Sequence, residues 1–133
     1  MRAICDTHVL LFWADDPRRL GRRATTLVDE CVAAGELLCA DISLWEIAML
    51  HARGRLNKRA NITCAAYIQD ILTATGAGVL PITPEIAELA QEPRFLHGDP
   101  ADRLIAATAL IHHVPLITAD DKLHAVAGLR CMW

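Results

Sequence analysis

Five short apolar runs, at 2–5, 37–40, 79–82, 114–118 and 129–132, alternate along the chain with longer amphipathic segments. The runs have strand length and most are bounded by turn or polar residues. Helical patterns fill the intervals: 22–34, a segment beginning near Ser43, 63–75, 84–91, and a stretch from Pro100 to about His113. The last is the best defined, with Asp99 at the cap position and Pro100 at the first helical position. Ala106, Ala107 and Ala109 leave it a surface small enough to lie close on a sheet. Strands alternating with helices predict a three-layer α/β/α sandwich around a mostly parallel sheet of four or five strands.

The length of 133 residues predicts a single domain spanning 1–133, and 53 % hydrophobic residues are ample for its core. Thirteen Lys and Arg against sixteen Asp and Glu give a net charge of −3, which is not the balance of a dedicated nucleic-acid binder. A nucleic-acid substrate would need local basic patches or metal ions to offset the acids. Five cysteines with no C-x-x-C spacing read as reduced thiols of a cytoplasmic protein. The chain reaches Asp6 before any signal-peptide apolar region, and the apolar stretch around Leu104–Ile111 is far short of the ~20 residues a membrane helix needs. No membrane association is expected.

In parallel sheets the functional crevice lies beyond the carboxyl ends of the strands. Asp6 follows the first run, Asp41, Ser43 and Glu46 follow the second, and Asp120 follows the fourth. Asp102 falls in the first turn of the Ala-rich helix. Four acids, Asp6, Glu46, Asp102 and Asp120, thus have reason to converge. Two carboxylates about 5 Å apart repel by roughly 3 kcal/mol at an effective dielectric near 20. A divalent cation resolves that repulsion, and an all-oxygen donor set favours Mg²⁺ or Mn²⁺ over Zn²⁺.

Each acid also has a structural reading. Ser43-Leu44-Trp45-Glu46 has the spacing of a capping box. Asp102 suits a helix macrodipole, Asp99 suits a cap, and Asp120 or Asp121 can open a last helix. Asp6 is the hardest to explain structurally, because an acid ending a buried first strand has no evident scaffolding task.

The segments carrying these acids resemble a known family. Asp6-Thr7-His8 followed by an apolar stretch to Trp13, Ser43-Leu44-Trp45-Glu46-Ile47-Ala48, His97-Gly98-Asp99-Pro100-Ala101-Asp102-Arg103-Leu104-Ile105-Ala106-Ala107, and Leu116-Ile117-Thr118-Ala119-Asp120 are similar, in order, to the motifs of PIN-domain ribonucleases. The resemblance is to the VapC-type toxins of toxin–antitoxin pairs within that family. It implies metal-dependent hydrolysis of RNA, leaving 5′-phosphate and 3′-hydroxyl ends, with Asp6, Glu46, Asp102 and Asp120 as the acidic cluster. It implies Asp6, Asp102 and Asp120 as metal ligands, Glu46 as holder of the attacking water or general base, and Thr7, Ser43 and Thr118 as supporting hydroxyls. Mg²⁺ or Mn²⁺, a homodimer and a VapB-type antitoxin are the implied cofactor and partners. Asp121 competes with Asp120 for the fourth position, and Asp99 reads as an auxiliary acid or, preferably, as the helix cap. The rivals are a catalytically silent PIN-like binding module and an Mg²⁺-binding phosphotransfer receiver, which wants adjacent acids where Asp6-Thr7 stands.

Arg18, Arg19, Arg22 and Arg23 form a basic stripe if one helix carries them, and Arg53, Arg55, Lys58 and Arg59 form a second basic stretch beside Gly54. Each reads as a solvated face, a phosphate grip or a dock for an acidic antitoxin segment. His8 reads as a packing residue or a substrate contact, and His112-His113 as a helix end. His97 and Asp99 lack a third ligand at zinc-site spacing. No Gly-x-Ser-x-Gly elbow and no phosphate-binding glycine loop occurs; Gly76-Ala77-Gly78 reads as a turn. Trp13 and Trp45 read as core or interface, and Met49 and Leu50 as core or a dimer face.

Overall fold

Alternate residues of the central strands enter two different cores, which is what makes the sheet the middle layer of three. The computed structural model describes residues 1–56, 61–96 and 98–133. Strand β1 (Ala3–Cys5) sends Ala3 and Cys5 into one core and Ile4 into the other. Strand β2 (Leu37–Ala40) divides in the same way, Leu37 and Cys39 against Leu38 and Ala40. All of these residues are buried, so the period of two separates two apolar faces instead of an apolar from a polar one.

Strands β3 (Gly78–Leu80), β4 (Leu116–Ile117) and β5 (Cys131–Met132) complete a five-stranded, all-parallel sheet of order β3-β2-β1-β4-β5. The expected α/β sandwich is therefore the observed one; β2 fills its predicted run and the other strands are shorter than theirs. Helices α1 (Thr7–Asp15), α2 (Arg22–Ala34) and α4 (Cys64–Thr75) contribute to the first core, α5 (Pro84–Leu89), α6 (Pro100–His112) and α7 (Asp121–His124) to the second. Helix α3 (Ile42–Ala52) buries Ile47 in the first core and also packs against α6.

The order has a switch point at β1: the chain leaves it toward β2 on one side and returns to β4 on the other. Asp6 lies just past β1, where its N–H donates to the Ile117 carbonyl of β4 (3.1 Å). Helix α6 ends at His113, whose φ of +53° forms a left-handed cap, and three residues later the chain enters β4. The start of α6 is thereby returned to the carboxyl edge of the sheet.

Three expectations need correction. Residues 7–15 form helix α1, which the helical patterns read from the sequence do not include. The arginine stripe is not one helix face: Arg18 and Arg19 sit on a 3-10 turn (Pro17–Arg19), and Arg22 and Arg23 open α2 after Gly21. Pro17 and Gly21 interrupt what continuous periodicity would have joined. Glycine is required at 21 because a Cβ there would stand 2.8 Å from the backbone and indole ring of Trp133. The capping box does not form either, because Asp41 is already in the α-region and α3 starts at Ile42, before Ser43. Lys58, Arg59 and His97 lie outside the described residues. All five cysteines are free thiols, and among the described residues no helix is long and apolar enough to cross a membrane.

Candidate active site

Asp6 caps a helix and anchors a hydrogen-bond chain. As the N-cap of α1 it accepts from the Val9 N–H (3.1 Å), so it does have a structural task. Its other oxygen accepts from the Thr118 hydroxyl, a short contact between two buried groups. The Thr118 oxygen in turn accepts from the Asp120 N–H (3.1 Å). Thr118 thus ties the end of β1 to the loop after β4 across the switch point. Burial raises the Asp6 carboxyl above its usual range, while the Thr118 and Val9 hydrogen bonds and the nearby His8 pull it back.

Glu46 is 5 % exposed on the inner face of α3. Its Oε1 is buried and has no hydrogen-bond partner. Burial raises its affinity for a proton; the nearby Thr7 hydroxyl lowers it, and the charges of Asp99 and Asp6 raise it again. Thr7 and Ser43, both fully buried, are hydrogen-bonded through their hydroxyls at 3.0 Å. Ser43 therefore accepts from Thr7 instead of capping its own helix.

Asp99 and Asp102, both partly buried, come from the start of α6. Asp99 is the helix cap, accepting from the Ala101 N–H (2.9 Å), and it is also a member of the acidic cluster. One oxygen each of Glu46, Asp99 and Asp102 lie within 4.8 Å of one another. Asp120 caps α7, accepting from the Lys122 N–H (2.9 Å), while Asp121 is an exposed first-turn residue. Of these two acids, Asp120 is the one joined to Thr118 and through it to Asp6.

The candidate residues thus fall into two linked groups. Glu46, Asp99 and Asp102 form a compact trio; Asp6, Thr118 and Asp120 form a string beside it, and Asp6 lies within electrostatic reach of Glu46. The sequence leaves Asp99 as an auxiliary acid or, preferably, a cap; with α3 packed on α6 it is both a cap and a member of the acidic cluster.

The trio fits a divalent cation. Three carboxylates at this separation repel by roughly 3.5 kcal/mol per pair at an effective dielectric of 20. Around one octahedral Mg²⁺ opposite oxygens stand roughly 4 Å apart and adjacent ones roughly 3 Å, so the three carboxylates would draw together on binding an ion. The unpartnered buried Glu46 oxygen is the kind of orphan a cation satisfies. On the edge strand, burial with the charges of Asp6 and Asp120 pushes the Cys131 thiol up to about 11.

Comparison with known proteins bears on the fold and the family. The PIN domain family matches residues 3–129. A relative named Ribonuclease VapC22, from Mycobacterium tuberculosis, is 35 % identical over 92 % of this chain and 89 % of its own. Among solved structures, VapBC2 from Rickettsia felis bound to a promoter DNA fragment superposes with a TM-score of 0.74 at 13 % identity, covering 99 % of this chain and 98 % of that one. DNA-bound VapBC from Salmonella typhimurium gives 0.73 at 14 % identity, covering 99 % and 97 %. At such identities these two establish the shared fold, and the sequence matches establish more: the chain belongs to the PIN-domain family.

Proposed function

We propose that this protein, as one PIN-like unit over residues 1–133, is a metal-dependent endoribonuclease and the toxin of a toxin–antitoxin pair. The observation that carries the reading is the carboxylate of Glu46, buried and with one oxygen unpartnered, gathered with those of Asp99 and Asp102 at the sheet's carboxyl edge. A silent binding module has no use for a desolvated carboxylate cluster that costs stability. The 35 % identical relative named a ribonuclease supports RNA as the substrate class.

Glu46, Asp99 and Asp102 are the residues positioned to hold a divalent ion, with Mg²⁺ or Mn²⁺ suited to the oxygen donors. When bound, such an ion supplies Lewis-acid polarisation of a phosphodiester and an activated water. Glu46, with its proton affinity raised by burial, is the residue suited to take the water's proton at the carboxylate oxygen left free of the ion. Asp6, fixed by Thr118 and Val9, adds negative charge beside the trio and holds the two strand ends in place. Asp120 extends that charge toward β5 and completes the set of acids. A VapB-type antitoxin and a second copy of this chain are the proposed partners, the antitoxin by analogy with the VapBC assemblies that share the fold.

The test is cleavage of RNA by purified protein in Mg²⁺ or Mn²⁺ against EDTA, beside Asp6→Ala. Cleavage that needs the ion and is lost in the variant supports the reading. Equal cleavage by the variant, or cleavage in EDTA, sinks it.

A further inference from the structure

Trp45 is 58 % exposed, although it precedes the buried Glu46 on the same helix. Its ring forms part of a groove of about 440 Å³ that Met49, Arg53 and Pro100 also line, together with Glu46 and Asp99. The groove is therefore continuous with the acidic trio. Its size falls in the roughly 300–1,000 Å³ range of sites that take small organic groups. Arg53 stands seven residues after Glu46, about 10 Å along the helix at ~1.5 Å per residue. Among the described residues that line this groove it is the one cation.

We propose that this groove binds the nucleoside next to the scissile phosphate, with its base stacked on the Trp45 ring and a neighbouring phosphate paired to Arg53. This rests on the ribonuclease reading and adds a substrate-binding residue that the acid motifs do not contain. A phosphodiester drawn to the trio must place the adjoining nucleoside on the nearest surface, and on this side that surface is the groove. Every base has a π-face, so an exposed indole grips single-stranded RNA without demanding one sequence. Charge agrees: a polyanion crossing an acidic site needs a cation beyond the metal, and Arg53 supplies it. A peptide of a protein partner, or a second copy of this chain, is the competing occupant.

The experiment uses full-length protein with Asp6→Asn in Mg²⁺ to suppress cleavage, titrated with a labelled random-sequence single-stranded oligoribonucleotide. Tryptophan fluorescence should be quenched saturably, and the quench should disappear with Trp45→Phe while affinity is largely kept. Trp45→Leu should weaken binding roughly 5- to 150-fold, the range found for removing one stacked base. Arg53→Ala should flatten the dependence of log affinity on log salt by about 0.7, the value of one phosphate contact on a single strand. The proposal is overturned by equal affinity of the Leu and Phe variants, by absence of saturable binding, or by a Trp45→Leu protein that loses oligomeric mass but binds RNA unchanged. Cleavage by the wild type is scored separately. RNA cleavage with no Trp45 effect removes the stacking site and leaves the ribonuclease; quenching without cleavage does the reverse.

Discussion

Replacing Glu46 by Gln should stabilise the metal-free protein while abolishing the stabilisation that a divalent ion gives the wild type. Glu46 has two carboxylate neighbours within 4.8 Å, each repelling it by roughly 3.5 kcal/mol at an effective dielectric of 20. Asp99 and Asp102 are only partly buried, so solvent and salt screen much of that sum. Burial also raises the Glu46 proton affinity, which relieves part of the remainder by protonation. About 1–3 kcal/mol should survive at pH 8, where every carboxylate is pressed toward its charged form. The Gln amide is not orphaned, because its N–H group faces two carboxylate acceptors. For a chain of this length, roughly 3–6 °C of Tm accompanies each kcal/mol. Added ion at a hundred times its Kd should stabilise the wild type by about 2.7 kcal/mol and the variant by far less. The assay is thermal or urea unfolding of both proteins in EDTA and in Mn²⁺. If Glu46→Gln unfolds more readily than the wild type in EDTA, or gains as much from Mn²⁺, the trio is not the strained metal site argued above.

Other perturbations reach different parts of the same account. Thr118→Val keeps the shape but removes the hydroxyl that donates to Asp6 and accepts from Asp120, so denaturant titration at pH 7 should show a loss of about 1.5–3 kcal/mol. Gly21→Ala should cost about 1–3 kcal/mol through collision with Trp133, and adding Trp133→Ala should recover only the indole's share, because the Trp133 backbone carbon is equally close. In EDTA, stability should fall as pH rises from the ordinary values of Asp6 and Glu46, 3.8 and 4.5, to their raised folded values, since the unfolded chain gives up these protons first. Stability should be level in this respect above that window, and a Tm series from pH 4 to 8 reads the slope. A rise in metal-free stability across the window contradicts burial as the dominant influence on these two acids.

Much of the scaffold is legible in the residues because local and global signals coincide. Helix α2 runs from Arg22 to Ala34 as its pattern predicts, and Gly35 at φ +68° ends it. Asp99, Pro100 and His113 bound α6 as cap, first residue and left-handed terminus. Helix α1 is hidden because Val9-Leu10-Leu11-Phe12-Trp13 offers no polar face to mark a helical period. Its one start signal, Asp6, is also a candidate site acid, so the two roles mask each other. Ser43 is misread for a related reason: β2 passes into α3 with no extended residue between, and the hydroxyl turns inward to Thr7.

The site is legible as a set of acids and not as a geometry. Strand-end placement selects Asp6, Glu46 and Asp120, and first-turn placement selects Asp102. Spacing along the chain cannot say that Glu46 and Asp102 gather Asp99, while Asp6 reaches Asp120 through Thr118. Those pairings depend on α3 packing against α6 and on β1 lying beside β4, contacts between segments more than fifty residues apart.

The claim that Glu46, Asp99 and Asp102 form a metal site is tested most directly by crystals soaked in Mn²⁺ and measured at the manganese absorption edge. An anomalous peak is expected within ligand distance of an oxygen of each of the three carboxylates. A peak held elsewhere, or a clear map with no peak there in saturating Mn²⁺, contradicts it.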